Sequence, residues 1–488
     1  MSRLPADCLN DIFEYLEDDK VTLHSCLLVN RLWCEVSVII LWRDIWSYNP
    51  VLKRSSEFLS QIQSTLVACL PNESKFFLHT NKIFIATPTS NPPLFNYVSF
   101  CKVISIHGIN QMVKLVSKYN NYLISQEVLK MFMNKITCLQ ELKYYSDHGS
   151  ISHNIKFTKF PGATLCLKNL SKLNCSSDLH SEFFSQLSQL CCNLQSLTIE
   201  FEESVTKELK DLISSQRNLE YLTLIQSEDL TDITDIIPSL IKHSNTLTKL
   251  KIIGGTSIFI SSFSNIQELI LSHLYSQYLG NPFEDFKELQ FVKFPQLQIL
   301  KLQLIYRLPN YENLINFLEN NGKNLKVLYI DDSDYSLNLS IAKFCPKLES
   351  LFNIILVNEI GSLKLILMSC KLLKSIKVWC GEDDYLNERE LLDTVVKCSP
   401  NNFYELKIYY INNVRTELHP EELEEFFIGW TNRIPQKSLS LILITGYCTN
   451  SLNTKKENME VIEKYKKSGV IKSFEVVNFD DESDFCLP

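Results

Sequence analysis

Cysteine, histidine and paired carboxylates carry most of the reactive chemistry in this sequence, and their spacing argues against a reaction centre. There are 16 cysteines. A structural zinc site needs two close pairs of Cys or His ligands. No Cys-x-x-Cys occurs, Cys191 and Cys192 are adjacent, and His148 and His153 stand apart from any cysteine pair. No metal or other cofactor is therefore expected. Glycine-rich phosphate loops, a Gly-x-Ser-x-Gly elbow and His-Glu-x-x-His are all missing, so the common nucleotide, acyl-transfer and zinc chemistries have no anchor. Carboxylate pairs such as Glu202–Glu203 and Asp331–Asp332 read as solvated loop residues. The expectation is a protein that binds rather than catalyses.

What could do the binding becomes visible once the elements that position it are read. From about Cys101 onward a unit of the form Leu-x-x-Leu-x-Leu/Ile, with an optional Asn before it, recurs, starting at Cys138, Asn169, Asn193, Asn218, Thr246, Asn265, Gln296, Asn324, Lys347, Leu372 and Asn402, with a degraded copy at Lys437. The segment from Phe100 is a plausible first strand. Successive starts lie about 27 residues apart on average, within the range of leucine-rich repeats. In each copy the last two apolar residues are two apart, which puts both on one face of a strand. That face is buried only by stacking on neighbouring repeats. Helical apolar spacing predicts returns over Thr206–Ser214, Tyr311–Asn320, Asn387–Lys397 and Glu421–Trp430. A charged helix over Lys455–Ser468 and a strand over Ile471–Phe479 are predicted to cap the array. The fold class is therefore α/β: an irregular solenoid with parallel strands on its concave face and helices on its convex face.

The residue between those two apolar positions points away from the core. Read along the array, these residues are Lys143, Asn174, Thr198, Thr223, Lys251, Ile270, Lys301, Tyr329, Phe352, Lys377 and Lys407. None is acidic, although acidic residues outnumber basic ones overall. Two residues further on stand Tyr145, Trp379 and Tyr409. This pattern predicts a basic, aromatic-dotted concave surface for an acidic or phosphorylated target, carried by Lys251, Lys301, Tyr329, Phe352, Lys377, Trp379, Lys407 and Tyr409.

At the other end, Leu9, Ile12, Phe13 and Leu16 fall at i, i+3, i+4 and i+7, one stripe of a helix. Pro5 suits its first turn. A second short helix carries Leu23, Cys26, Leu27 and Leu28. A third carries Leu32, Trp33, Val36 and Ile40, followed by Trp42 and Trp46. So small a unit cannot bury three indoles by itself. In order and spacing, Leu4, Pro5, Leu9, Ile12, Phe13, Leu16, Leu23, Cys26, Leu27, Val29, Asn30, Arg31, Trp33 and Trp42 resemble the F-box. The later repeats look like the cysteine-containing leucine-rich repeats that often accompany it. Ile341–Leu351, with Cys345 before Pro346, fits closely, and the segments holding Cys192, Cys370 and Cys398 fit more loosely. Those four cysteines are then small buried residues.

The resemblance implies a substrate-recognition subunit of a cullin-type ubiquitin ligase, itself without catalytic activity. The F-box would dock on a Skp-type adaptor, and through it on cullin and RING subunits, using Leu4, Pro5, Leu9, Ile12, Phe13, Leu16, Leu23, Cys26, Leu27, Val29, Trp33 and Trp42. The repeats would hold a target protein for ubiquitin-dependent degradation. The alternative is a leucine-rich-repeat scaffold or inhibitor with no ligase link. A net charge of -8 argues against nucleic acid as ligand. No long uncharged apolar run suggests a membrane span, and no leader is legible, so a cytoplasmic or nuclear setting is expected. The expected domains are an F-box over 1–47, a connector over 48–99, the solenoid over 100–454, a cap over 455–480 and an acidic tail over 481–488.

Overall fold

A computed structural model describes residues 4–46, 55–83, 93–116, 121–145, 155–202, 205–226, 233–254, 258–272, 286–303, 311–381, 385–410, 416, 418–435, 437–446 and 449–479. The Pro-rich stretch up to Pro92, His148, His153, Glu203 and the acidic tail lie outside these. The chain forms two compact units, Met1–His243 and Ser244–Pro488.

The first unit opens with three short helices: α1 (Ala6–Glu14), α2 (Lys20–Cys26) and α3 (Arg31–Leu41). Local chemistry sets their starts. Pro5 precedes α1, the Asp19 carboxylate accepts from the Thr22 amide at 2.9 Å, and the Asn30 side chain accepts from the Trp33 amide at 3.0 Å. Such caps satisfy amides that a helix N-terminus leaves bare. Asn30 and Arg31, which look like an interruption in the sequence, are the cap and first residue of α3. Leu9 and Phe13 of α1, Leu23 and Cys26 of α2, and Val36 and Ile40 of α3 form one small core.

Helices Ser55–Cys69 and Asn72–Thr80 follow, and Ile62, Leu66, Leu70 and Leu78 bury their side chains. The remainder of this unit is strand–helix repeats. Its parallel strands are β1 (Val103–Ser105), β2 (Glu141–Tyr144), β3 (Lys172–Ser176), β4 (Ser196–Phe201) and β5 (Tyr221–Gln226), paired in sequence order.

The second unit repeats the plan with β6 (Lys249–Ile253), β7 (Glu268–Ser272), β8 (Ile299–Gln303), β9 (Val327–Ile330), β10 (Ser350–Asn353), β11 (Ser375–Cys380), β12 (Glu405–Tyr410), β13 (Leu439–Thr445) and β14 (Ile471–Asn478). These too pair in parallel, each with the next. Every Leu-x-x-Leu-x-Leu copy read from the sequence lies on a strand. Returns at Lys207–Ser215, Tyr311–Asn321, Glu388–Cys398 and Pro420–Thr431 sit within a residue or so of the predicted helices.

The strands obey the alternation that places them. In β2 the outer residues Glu141 and Lys143 are half-buried, while Leu142 and Tyr144 are buried. The apolar partners come from the returns, as with Leu209, Leu212 and Ile213, or Leu314, Phe317 and Leu318. Buried carboxylates fasten the loops of the second unit. Glu359 accepts from Ser333 Oγ at 2.7 Å and Asn338 Nδ2 at 2.9 Å. Glu388 accepts from the Tyr410 hydroxyl at 2.5 Å and from Thr416 Oγ1 at 2.6 Å.

Candidate functional site

Two regions bear on function, one in each unit. The first is the outer surface of the three helices. The residues with F-box spacing divide into two sets there. Leu9, Phe13, Leu23 and Cys26 point inward, and Trp33 meets Phe13 edge-on at 5.1 Å. Leu16 and Leu27 are half-buried. Leu4, Pro5, Ile12 and Val29 are exposed, and with them Tyr15, Val21 and Leu28, which the motif did not single out. Val21 is 71% exposed and Leu28 82%. Large apolar side chains this exposed on a unit this small are a recognised sign of a covered surface. No spacing rule marks Leu28 as an outer residue, since it continues the apolar run of Leu23, Cys26 and Leu27.

The docking expectation is corrected for Leu9, Phe13, Leu23, Cys26 and Trp42, all of which are buried. The first four fill the core of the three helices. Trp42 lies with its ring 4.6 Å from that of Tyr97. The reason is that the chain needs this edge to join the helices to the repeats. The Arg43 carbonyl accepts from the amides of Lys102 and Val103 at 2.8 and 3.2 Å, and so starts β1. The Trp46 indole donates to the Val103 carbonyl at 3.0 Å, and its ring lies 6.3 Å from Phe132. Gly108 leaves room for that indole, since a Cβ there would stand 2.3 Å from Trp46 Cε3. The Arg43 guanidinium forks onto both oxygens of Glu14. This hydrogen bonding holds the Glu14 carboxyl below its usual range. The end of α3, the end of α1 and β1 are thereby tied together.

The second region is the strand face of the second unit. Pairing register sets Lys251 beside Ile270, then Lys301, Tyr329, Phe352, Lys377 and Lys407 in one continuous row. Trp379 lies beside Tyr409 one row along, rings 4.4 Å apart. The predicted open surface is corrected in two respects. First, Tyr329, Phe352, Lys377 and Tyr409 are buried, with Lys377 only 4% exposed. Tyr329 and Phe352 pack ring on ring at 4.1 Å. The Lys377 ammonium lies 4.7 Å from the Phe352 ring, 5.6 Å from Tyr329 and 5.9 Å from Tyr409, a cation–π arrangement that favours partial desolvation. Aromatics in register cover one another, which the single-residue reading does not capture. Second, the row one step earlier on the same face carries Glu268 and Glu405, which pair with Lys249 at 3.2 Å and Lys407 at 3.5 Å. In the first unit Glu141 pairs likewise with Lys143 at 3.4 Å. The face is mixed in charge, with Lys251, Lys301 and Lys407 half-buried upon it.

The cysteines of the repeats are structural. Cys345 and Cys370 are fully buried, and Cys370 Sγ donates to the Cys345 carbonyl at 3.4 Å. Burial pushes the Cys370 thiol up to about 11 and that of Cys345 higher still, which suppresses the reactive thiolate. Cys192 and Cys398 are corrected to half-buried. Cys191, which caps the preceding helix, takes the interior place instead and donates to the Leu170 carbonyl at 3.3 Å. Among the described residues, no group of three or more His, Cys, Asp or Glu is placed to hold a metal ion, and no helix is long and apolar enough to cross a membrane.

The class defined by these features is an α/β protein of parallel strand–helix repeats in two units, the first headed by three short helices. No family model and no curated protein matches the chain. Among solved structures it is similar to one described as a Rad7 and Elc1 complex in yeast. The identity there is 16% and the TM-score 0.39, over 89% of this chain and 96% of that one. A likeness of that size assigns no partner.

Proposed function

We propose that the protein is a non-catalytic substrate-recognition subunit of a cullin-type ubiquitin ligase. Its N-terminal helices would act as an F-box that docks on a Skp-type adaptor, and its repeats would hold a target protein. The observation that carries this reading is the division of the N-terminal residues. The stripe with F-box spacing supplies a core from Leu9, Phe13, Leu23 and Cys26, and leaves Leu4, Ile12, Tyr15, Val21, Leu28 and Val29 outside it. A partner with an apolar groove would bury them, and interfaces of ordinary size have such an apolar centre.

The mechanism is proximity. The adaptor brings a cullin, a RING subunit and a charged ubiquitin-conjugating enzyme. The repeats hold the target beside it, so the gain is in effective concentration. No residue of this chain takes part in bond making. Target capture falls to the strand faces, where lysine, aromatic and glutamate side chains are mixed.

The test is co-expression of the full chain with a Skp-type adaptor. A one-to-one complex is expected through purification, and a Leu4→Ala/Pro5→Ala/Leu16→Ala variant should lose it. Failure of the intact chain to bind, or equal binding by that variant, overturns the F-box reading.

A further inference from the structure

We infer that the chain's own acidic segment 480–488 docks on the aromatic–lysine face of β11 and β12 and competes there with external acidic ligands. The starting point is Phe479, the residue just before that segment. Its ring lies 5.4 Å from Tyr409. Tyr409 is two strands away from β14, level with Ile444 and Val477. Phe479 therefore reaches back across β13, and the chain leaves the sheet on the side of the aromatic face.

That face matches the segment in chemistry. Residues 480–488 read Asp-Asp-Glu-Ser-Asp-Phe-Cys-Leu-Pro, four carboxylates followed by an aromatic and an aliphatic residue. The face offers the Lys377 ammonium among three rings, Lys407 beside it and Lys301 further along the row. Carboxylates gain most from a cation in such a partly dry setting. Trp379 supplies an independent sign. Its Nε1–H is buried without a hydrogen-bond partner among the described residues, although its ring packs against those of Tyr409 and Tyr385. A buried donor of this kind calls for an acceptor, and a carboxylate is the strongest one available.

The distances allow it. Nine extended residues reach about 30 Å, and strands lie about 4.8 Å apart, so even Lys301 on β8 is about 19 Å from Tyr409. A short connection gives an effective concentration of about 1 mM. A segment that binds at about 0.1 mM when free is then docked about ten times more often than not. An external acidic ligand for the same face must displace it. This inference is independent of the ligase reading, since neither adaptor nor target enters its test.

The test uses a labelled synthetic peptide of residues 480–488, titrated into the full chain and into a chain ending at Phe479. A second full-length variant carries Asp480→Asn, Asp481→Asn, Glu482→Gln and Asp484→Asn, so the result does not rest on the deletion alone. Anisotropy should show the peptide binding the shortened and neutralised chains about tenfold more tightly than the unaltered chain. A peptide with its four acids neutralised should bind at least tenfold more weakly. Trp379→Phe in the shortened chain, which keeps an aromatic ring but removes the indole N–H, should weaken binding about threefold. Amide exchange in β11 and β12 should rise in the shortened and neutralised chains. Equal peptide binding by all three chains overturns the inference, as does absence of binding to any of them, or exchange in β11 and β12 that is the same in each.

Discussion

The proposed docking surface can be separated from the core that supports it by one set of substitutions. Ile12, Val21 and Leu28 are 49%, 71% and 82% exposed, leaving about two full aliphatic side chains for a partner to cover. Burying one such side chain is worth about 1.5–3 kcal/mol. Replacing all three with serine should therefore cost at least about 3 kcal/mol of adaptor binding, a weakening of about a hundredfold or more. The same triple variant should unfold within about 1.5 kcal/mol of the parent, because each exposed position contributes about 0.5 kcal/mol or less to folding. Phe13→Ala supplies the contrast. Phe13 is buried among Leu9, Leu23 and Trp33, and its truncation should cost about 3–5 kcal/mol of stability. Titration calorimetry with a Skp-type adaptor gives the first quantity, and urea unfolding gives the second. The reasoning is refuted if the triple variant binds within threefold of the parent, or if it loses binding and stability in the proportion that Phe13→Ala does.

Further expected outcomes follow from the interior. Gly108→Ala should destabilise by about 1–3 kcal/mol in urea, because the added methyl meets the Trp46 ring and overpacking costs that much. At an open helical position the same change would stabilise. Burial lowers the pKa of His243, whose Nε2 donates to the Ile213 carbonyl at 2.8 Å. The unfolded chain then binds the extra proton, so stability is present above the unfolded value near 6.5 and is lost as pH falls below it toward the folded value. The urea midpoint should drop between pH 7.5 and 5.5, and drop less in His243→Gln. Glu388→Gln sets an amide donor against the Tyr410 hydroxyl, the Thr416 hydroxyl or the Leu418 amide. It should cost about 1–3 kcal/mol, read as faster amide exchange in β12.

The strands were legible because each depends on a short-range rule. Two apolar residues spaced by two must share a buried face, and Leu142 with Tyr144, or Leu406 with Ile408, do so. The returns were legible for a similar reason, since Leu209, Leu212 and Ile213 define a face with no outside help. The candidate sites were less so. A stripe such as Leu9, Ile12, Phe13 and Leu16 fixes which side of α1 is apolar, not how much of that side its neighbours fill. Leu9 and Phe13 went inside and Ile12 stayed out. Trp42 found Tyr97, and Trp46 found Val103 and Gly108, partners over fifty residues away that no local pattern announces. On the strand face, one row of positions free of acids concealed the row beside it, where Glu268 and Glu405 hold lysines. Whether a row is open depends on what crosses it, and that is decided by distant chain.

The attachment of α3 to β1 has a bearing on mechanism beyond packing. A subunit that acts by proximity gains from holding its two ends at a fixed separation, and the gain falls roughly as the −3/2 power of length once a flexible tether replaces a fixed arm. Here the turn after α3 is not left as a tether. Arg43 is used twice, its carbonyl starting β1 and its guanidinium gripping Glu14 of α1. Trp46 then closes the joint with a hydrogen bond to Val103 and a ring seated over Gly108. An unrelated helical cap would need only to cover the apolar end of the sheet. Polar anchoring ties α1 and the end of α3 to the first strand, which the proposed proximity role would require. Trp46→Ala should therefore weaken any ubiquitin transfer that depends on the adaptor more than it weakens adaptor binding itself. Equal losses in the two measurements would make the joint a matter of folding alone.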